Sequence, residues 1–221
     1  MIGLDQPSCI DCGLCGCADN SQSYPPFCVT KSLSDDDRKA LLEDYQENDV
    51  FAVMNAASET MSRAFDEQWC RVEETMFFAR KRGAQRLGIA VCSGLIEEGR
   101  LLARVLRANE FEVYGIACKA GALAKAELGV ADSCCDYGSI SCDPLLQAKM
   151  LNEAQTDLNI IVGLCVGHDI LFMQRSKAPC TTLVTKDRAL VHNPAAALHA
   201  IDSASIYNRM LRGSFGMNAV R

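Results

Sequence analysis

The chain of 221 residues carries 22 Lys and Arg against 28 Asp and Glu, a formal charge of −6, together with 13 cysteines. With 49% hydrophobic and 23% charged residues it is neither disordered nor collagen-like, and a chain this long buries roughly 70% of its unfolded surface without needing a disulfide scaffold. The acidic balance argues against a nucleic-acid partner, and the longest apolar runs, near residues 87–96 and 160–167, reach about half of the ~20 residues that a membrane span requires.

Met1 to Ser8 lacks the apolar stretch of an export signal, so the odd number of cysteines is expected to be kept reduced in a cytoplasm. Residues 1–32 group Cys9, Cys12, Cys15, Cys17 and Cys28 with Gly13, Gly16, Pro25 and Pro26. A segment so poor in aliphatic residues does not fold by burial alone, and the expectation is a small Cys-rich module tied down by a metal ion.

Residues 33–221 are expected to form an α/β domain with a helical lead-in over 34–82 and a sheet from residue 86. Ser34 followed by Asp35, Asp36 and Asp37 is a helix cap with an acidic first turn. Further helical patterns cover 48–65 and 72–82, with Phe51, Met54, Met61, Phe65, Met76, Phe77 and Ala79 expected in a core. Arg80, Lys81, Arg82 and Arg86 complement a helix end. Short apolar runs at 86–92, 112–118, 159–165 and 181–185 then alternate with helices at 97–109, 144–154, 168–176 and 193–207. Alternation with continuously apolar strands predicts a parallel sheet in three layers, with helices on both faces.

Two cysteine groups carry chemistry. Cys9-x2-Cys12 is a tight two-ligand turn; with Cys17 and Cys28 it gives a tetrahedral zinc set, whereas Cys9, Cys12 and Cys15 resemble the start of an iron–sulfur motif. Cys15 is thus an alternative ligand. In the domain, Cys92, Cys118 and Cys165 each close a predicted strand. Parallel strands put their carboxyl ends on one edge, where open α/β folds bind ligands, and Cys142 before its helix can join them. These four thiols are expected to line a second metal, iron–sulfur or substrate site. His168 is a candidate ligand or general base, and Lys186 and Arg188 are candidates to grip a small anionic molecule, with Asp187 orienting one of them. Glu73 and Glu74 are expected at the surface, and His199 well inside the last helix.

The strings Ile140-Ser-Cys-Asp-Pro144, Gly163-Leu-Cys-Val-Gly-His-Asp169, Lys186-Asp-Arg188 and His192-Asn-Pro194 resemble the metal-binding proteins grouped as domain-of-unknown-function family 1847. The similarity extends over nearly the whole chain, including Arg71-Val-Glu-Glu74, Cys92 and Cys118. It implies prokaryotic cytoplasmic proteins without an established reaction, and a ligand set of Cys9, Cys12, Cys17 and Cys28 from which Cys15 is a departure. Three functions compete: a metal or cluster protein with chemistry at the sheet edge, involving Cys165, His168 and Lys186; a non-enzymatic metal sensor or carrier; and a thiol enzyme using Cys165 beside His168.

Overall fold

The computed structural model describes residues 8–19, 21, 23–136, 138–201 and 206–212. Backbone contacts divide the chain into two compact units, Met1–Glu59 and Thr60–Arg221.

In the first unit, irregular chain leads to a single helical turn, α1 (Val29–Ser32), and then to α2 (Asp35–Tyr45). Ser34 caps α2 as its sequence requires: its hydroxyl accepts from the Asp37 N–H at 3.1 Å while the Asp37 carboxylate accepts from the Ser34 N–H at 3.0 Å. Helix α3 (Asn48–Glu67) follows. Its apolar residues do not form the expected core: Phe51 is 54% exposed, Met54, Met61 and Phe65 are also exposed, and so are Leu41, Leu42 and Tyr45 of α2. Helical spacing determines which residues share a face; burial also needs an element to cover that face.

The second unit contains α4 (Arg71–Lys81), β1 (Arg86–Val91), α5 (Ile96–Ala108), β2 (Glu112–Ala117), α6 (Pro144–Glu153), β3 (Leu158–Val162), α7 (His168–Arg175), β4 (Cys180–Val184) and α8 (Ala195–His199). The strands are parallel in the order β2-β1-β3-β4. From β1 the chain moves outward to β2, then crosses back over β1 to β3. Right-handed crossovers in opposite directions place their helices on opposite faces. Side-chain contacts agree: Val91 of β1 lies against Gly99 of α5, whereas a side chain at Gly88, three residues earlier and so facing the other way, would meet Leu151 of α6 at 3.0 Å. The fold is α/β, with helices on both faces of the sheet.

Coverage of both faces explains the unbroken apolar strands. β3 is buried at every position, and Leu87, Ile89, Leu106, Leu151, Ile160, Ile161 and Phe172 are each no more than 2% exposed. Each such side chain contributes roughly 1.5–3 kcal/mol through burial. The one buried polar residue of β3, Asn159, accepts from Thr156 Oγ1 at 2.9 Å and donates to Ser176 Oγ at 2.8 Å.

The tail differs from expectation. Helix α8 ends at His199, so this residue closes a short helix instead of lying inside a long one. A 3-10 turn covers Ile206–Arg212, and residues 202–205 of the predicted helix lie outside the described residues. Five residues make little more than one helical turn, too few for local hydrogen bonding to sustain it unaided. Among the described residues, no helix is long and apolar enough to cross a membrane.

Candidate functional site

Strand order reverses between β1 and β3, and the carboxyl ends flanking such a reversal form the usual ligand crevice of open α/β sheets. Three chain segments bring thiols there. Val91 of β1 pairs with Ala117 of β2, so the next residues, Cys92 and Cys118, emerge side by side. Their backbone N–H groups extend the ladder, Cys92 to the Val162 carbonyl at 3.0 Å and Cys118 to that of Val91 at 2.8 Å. Cys142 comes from the loop before α6, where the Asp143 N–H donates to the Cys118 carbonyl at 2.6 Å and the Asp143 carboxylate caps the helix through the Leu146 N–H. The Cys142 and Cys118 sulfurs lie 3.4 Å apart.

Donors and cations surround these sulfurs. Cys118 Sγ receives the Ser93 N–H at 3.3 Å and contacts the Ser93 hydroxyl at 3.5 Å. Lys186 Nζ donates to Cys92 Sγ at 3.4 Å, and the Arg188 guanidinium donates to Cys165 Sγ at 3.1 Å. Lys186 and Arg188 follow β4 in a loop shaped by Asp187. The Asp187 carboxylate accepts from the N–H groups of Ala189 and Leu190, each at 2.9 Å, and its own N–H donates to His192 Nδ1 at 3.1 Å. Val191 and His192 take positive φ angles of 51° and 64°, a conformation that is strained for a β-branched residue and common near functional sites.

Cys165 does not occupy a strand end. Strand β3 stops at Val162, and Gly163, with φ +66°, turns the chain out of the ladder. A side chain at Gly163 would lie 1.9 Å from Leu95, so glycine is required for both space and backbone conformation. Gly94 has a different effect: a side chain there would lie 3.6 Å from Lys186 Nζ and 3.9 Å from Cys92 Sγ, so the glycine leaves the approach to both atoms uncovered.

The electrostatics follow from this geometry. Cys118 shares a hydrogen bond with Cys92 that favours its thiolate; burial opposes it, and the N–H and hydroxyl of Ser93 reinforce it, so its pKa falls to about 7. The same hydrogen bond, with burial, pushes Cys92 up to about 12. Within the pair, Cys118 is therefore the thiol that ionises first, while Cys92 keeps its proton. Arg188 is held more firmly protonated, first by its hydrogen bond to Cys165 and its charge, and also by the fields of Cys92 and Cys142.

Beneath the sulfurs, the Gln147 side chain is fully buried. Its Nε2 donates to the Val91 carbonyl at 3.2 Å and to the Ile116 carbonyl at 2.7 Å. Those two acceptors fix the amide orientation, and among the described residues Oε1 accepts no hydrogen bond. Nothing in the sequence pointed to Gln147, an inward position on an ordinary helix. Ser93 and Gly94 had a faint signal, as the first two residues after a strand-end cysteine.

His168 opens α7, its N–H donating to the Cys165 carbonyl at 2.9 Å. The side-chain partner of Cys165 is Arg188, a cation that stabilises a thiolate without removing its proton; among the described residues, no hydrogen bond joins the Cys165 thiol to the His168 ring. In the other unit, Cys9, Cys15 and Cys17 are exposed, Cys12 is half-buried, and Cys28 is buried at the start of α1. Against the opposing effect of burial, hydrogen bonds from Thr30 and Lys31 lower the Cys28 pKa. Among the described residues, no group of three or more His, Cys, Asp or Glu side chains stands in metal-holding geometry.

A protein family described as "Protein of unknown function (DUF1847)" matches residues 28–183. That span holds Cys92, Cys118, Cys142 and Cys165; Cys9, Cys12, Cys15 and Cys17 precede it, and Lys186 and Arg188 follow it. The chain is also 37% identical over 180 residues to the uncharacterised protein MJ0455 of Methanocaldococcus jannaschii, an alignment covering 81% of this chain and 92% of the relative. On these matches, the chain belongs to the DUF1847 family.

Proposed function

We propose that the carboxyl edge of the sheet is a thiolate centre for a soft metal ion or an iron–sulfur cluster, with Cys92, Cys118, Cys142 and Cys165 as the sulfur donors. The convergence of three thiols from three separate segments carries this reading: Cys142 lies 3.4 Å from Cys118, and Cys92 hydrogen-bonds the same sulfur. Two sulfurs bound at 2.3 Å to one tetrahedral ion lie about 3.8 Å apart, so the closest pair needs only a small adjustment. Charge supports the donor set as well. Four thiolates around a divalent ion leave two negative charges, and Lys186 and Arg188 supply two positive ones through N–H···S hydrogen bonds of the kind that tune such centres.

Once bound, the metal supplies Lewis-acid or one-electron chemistry. Lys186 and Arg188 neutralise the sulfurs, and Gly94 leaves the approach to Lys186 Nζ and Cys92 Sγ uncovered for a small molecule. Cys9, Cys12, Cys17 and Cys28, with Cys15 as a substitute, are proposed to hold a separate zinc-type ion, and free thiols in this number suit a reducing cytoplasm.

Anaerobic purification followed by metal and sulfide analysis and a visible spectrum tests both sites. Cys118→Ala is expected to remove the edge-bound metal or cluster absorption and keep the other ion, whereas a Cys9→Ala, Cys12→Ala double variant does the reverse. Metal content unchanged by Cys118→Ala and by Cys165→Ala would remove the edge centre from consideration.

A further inference from the structure

We infer that Cys118 and Cys142 are a redox couple that closes to an intramolecular disulfide by exchange with a small-molecule disulfide, withdrawing two sulfurs from the edge centre. The loss of ligands rests on the metal reading above; the couple itself stands on sulfur geometry. The two sulfurs, at 3.4 Å, must approach by about 1.4 Å to reach a bonding distance of about 2.05 Å. The backbones that carry them are already joined, because the Asp143 N–H donates to the Cys118 carbonyl at 2.6 Å. Among the described residues, the segment between them contains 3-10 turns at Lys125–Leu128 and Asp132–Cys134, one antiparallel bridge between Ala124 and Ile140, and no longer element, so little regular structure resists the closure.

The two thiols divide the work by exposure. Cys142 is half-buried and open to a small reagent, whereas Cys118 is 2% exposed. The Cys142 thiolate attacks one sulfur of the incoming disulfide RSSR, forming a Cys142–SR bond and releasing RS⁻. The Cys118 sulfur, supported by the Ser93 N–H and hydroxyl, then attacks the Cys142 sulfur. The Cys142–SR bond breaks and a second RS⁻ leaves. The protein gives up two electrons, RSSR is reduced to two thiols, and the protons of Cys118 and Cys142 end on those thiols. Arg188 donates to Cys165, and Lys186 donates to Cys92, which also hydrogen-bonds Cys118 and is therefore the competing partner for that sulfur.

The test equilibrates reduced full-length protein with mixtures of reduced and oxidised glutathione, quenches with an alkylating agent and maps peptides by mass spectrometry. The expected result is a Cys118–Cys142 cross-linked peptide that appears and disappears reversibly with the glutathione ratio. In Cys142→Ser, at a half-exposed position that tolerates the change, Cys118 is expected to stay unlinked across the whole range. A cross-link that joins Cys118 to Cys92, or the absence of any Cys118–Cys142 peptide when other cysteines are oxidised, would overturn the couple. A parallel sample loaded with zinc is followed with a chromophoric chelator, where oxidation is expected to release the edge-bound ion. Reduced protein that binds no zinc at the edge, yet still forms the cross-link, would sink the metal reading and leave the couple standing.

Discussion

Cys118 sits below the surface and still favours its thiolate, because Cys92, the Ser93 N–H and the Ser93 hydroxyl all point at one sulfur. In metal-free protein, mass-resolved alkylation of Cys118 against pH is expected to show a midpoint near 7, well below an ordinary thiol. Ser93→Ala keeps the N–H and removes the hydroxyl, so the midpoint is expected to rise by about half a pH unit, less than a full charged hydrogen bond at ~1.5 kcal/mol would give. An unchanged midpoint would assign the depression to Cys92 and the Ser93 N–H, without the hydroxyl. The sign for stability follows. The Cys118 pKa is lower in the folded state, so its contribution is present above the ordinary thiol value and is lost as pH falls through about 7. Metal-free wild-type protein is therefore expected to lose more melting temperature between roughly pH 9 and roughly pH 6, a range that spans the ordinary thiol value and the folded midpoint near 7, than Cys118→Ala does. Glu73 lies at the surface as expected, where its carboxylate accepts from the Cys70 N–H at 2.7 Å and closes the first turn of α4, which lowers its pKa.

Among the elements, two glycines sit at opposite ends of the sheet and separate stability from site geometry. A side chain at Gly88 would lie 1.9 Å from Asn159 Oδ1 and 3.0 Å from Leu151, far from the sulfurs. Gly88→Ala is expected to cost about 1–3 kcal/mol in urea unfolding through overpacking, with Cys118 alkylation unchanged. Gly163→Ala adds a positive φ to its clash with Leu95 and stands next to the Lys186 side chain. It is expected to destabilise the fold by at least as much and also to alter thiol reactivity at Cys92 and Cys165; a purely global loss of stability with unaltered reactivity would argue against a positioning role. The strands themselves were legible from sequence, to within one to three residues, because an apolar run covered on both faces has few alternatives. The exposed face of α3 was not legible, since its periodicity says nothing about what lies opposite.

For the whole molecule, the metal reading makes the two cysteine groups independent, because Cys9 to Cys28 lie in one compact unit and Cys92 to Cys165 in the other. Metal losses on removing each group are expected to add, and cooperative loss of both ions from a single Cys118→Ala change would contradict that independence. The residues alone determined the alternation of strands and helices, the parallel sheet and the placing of Cys92 and Cys118 at its carboxyl edge. These follow from local periodicity and from a handedness rule that holds for nearly every crossover. Only the tertiary structure decided that Cys142 reaches Cys118, that Lys186 takes Cys92 and Arg188 takes Cys165, and that Gln147 lies buried beneath them. Those contacts join residues 23 to 94 positions apart, and loop closure over such lengths depends on where every intervening element packs, which no local pattern encodes.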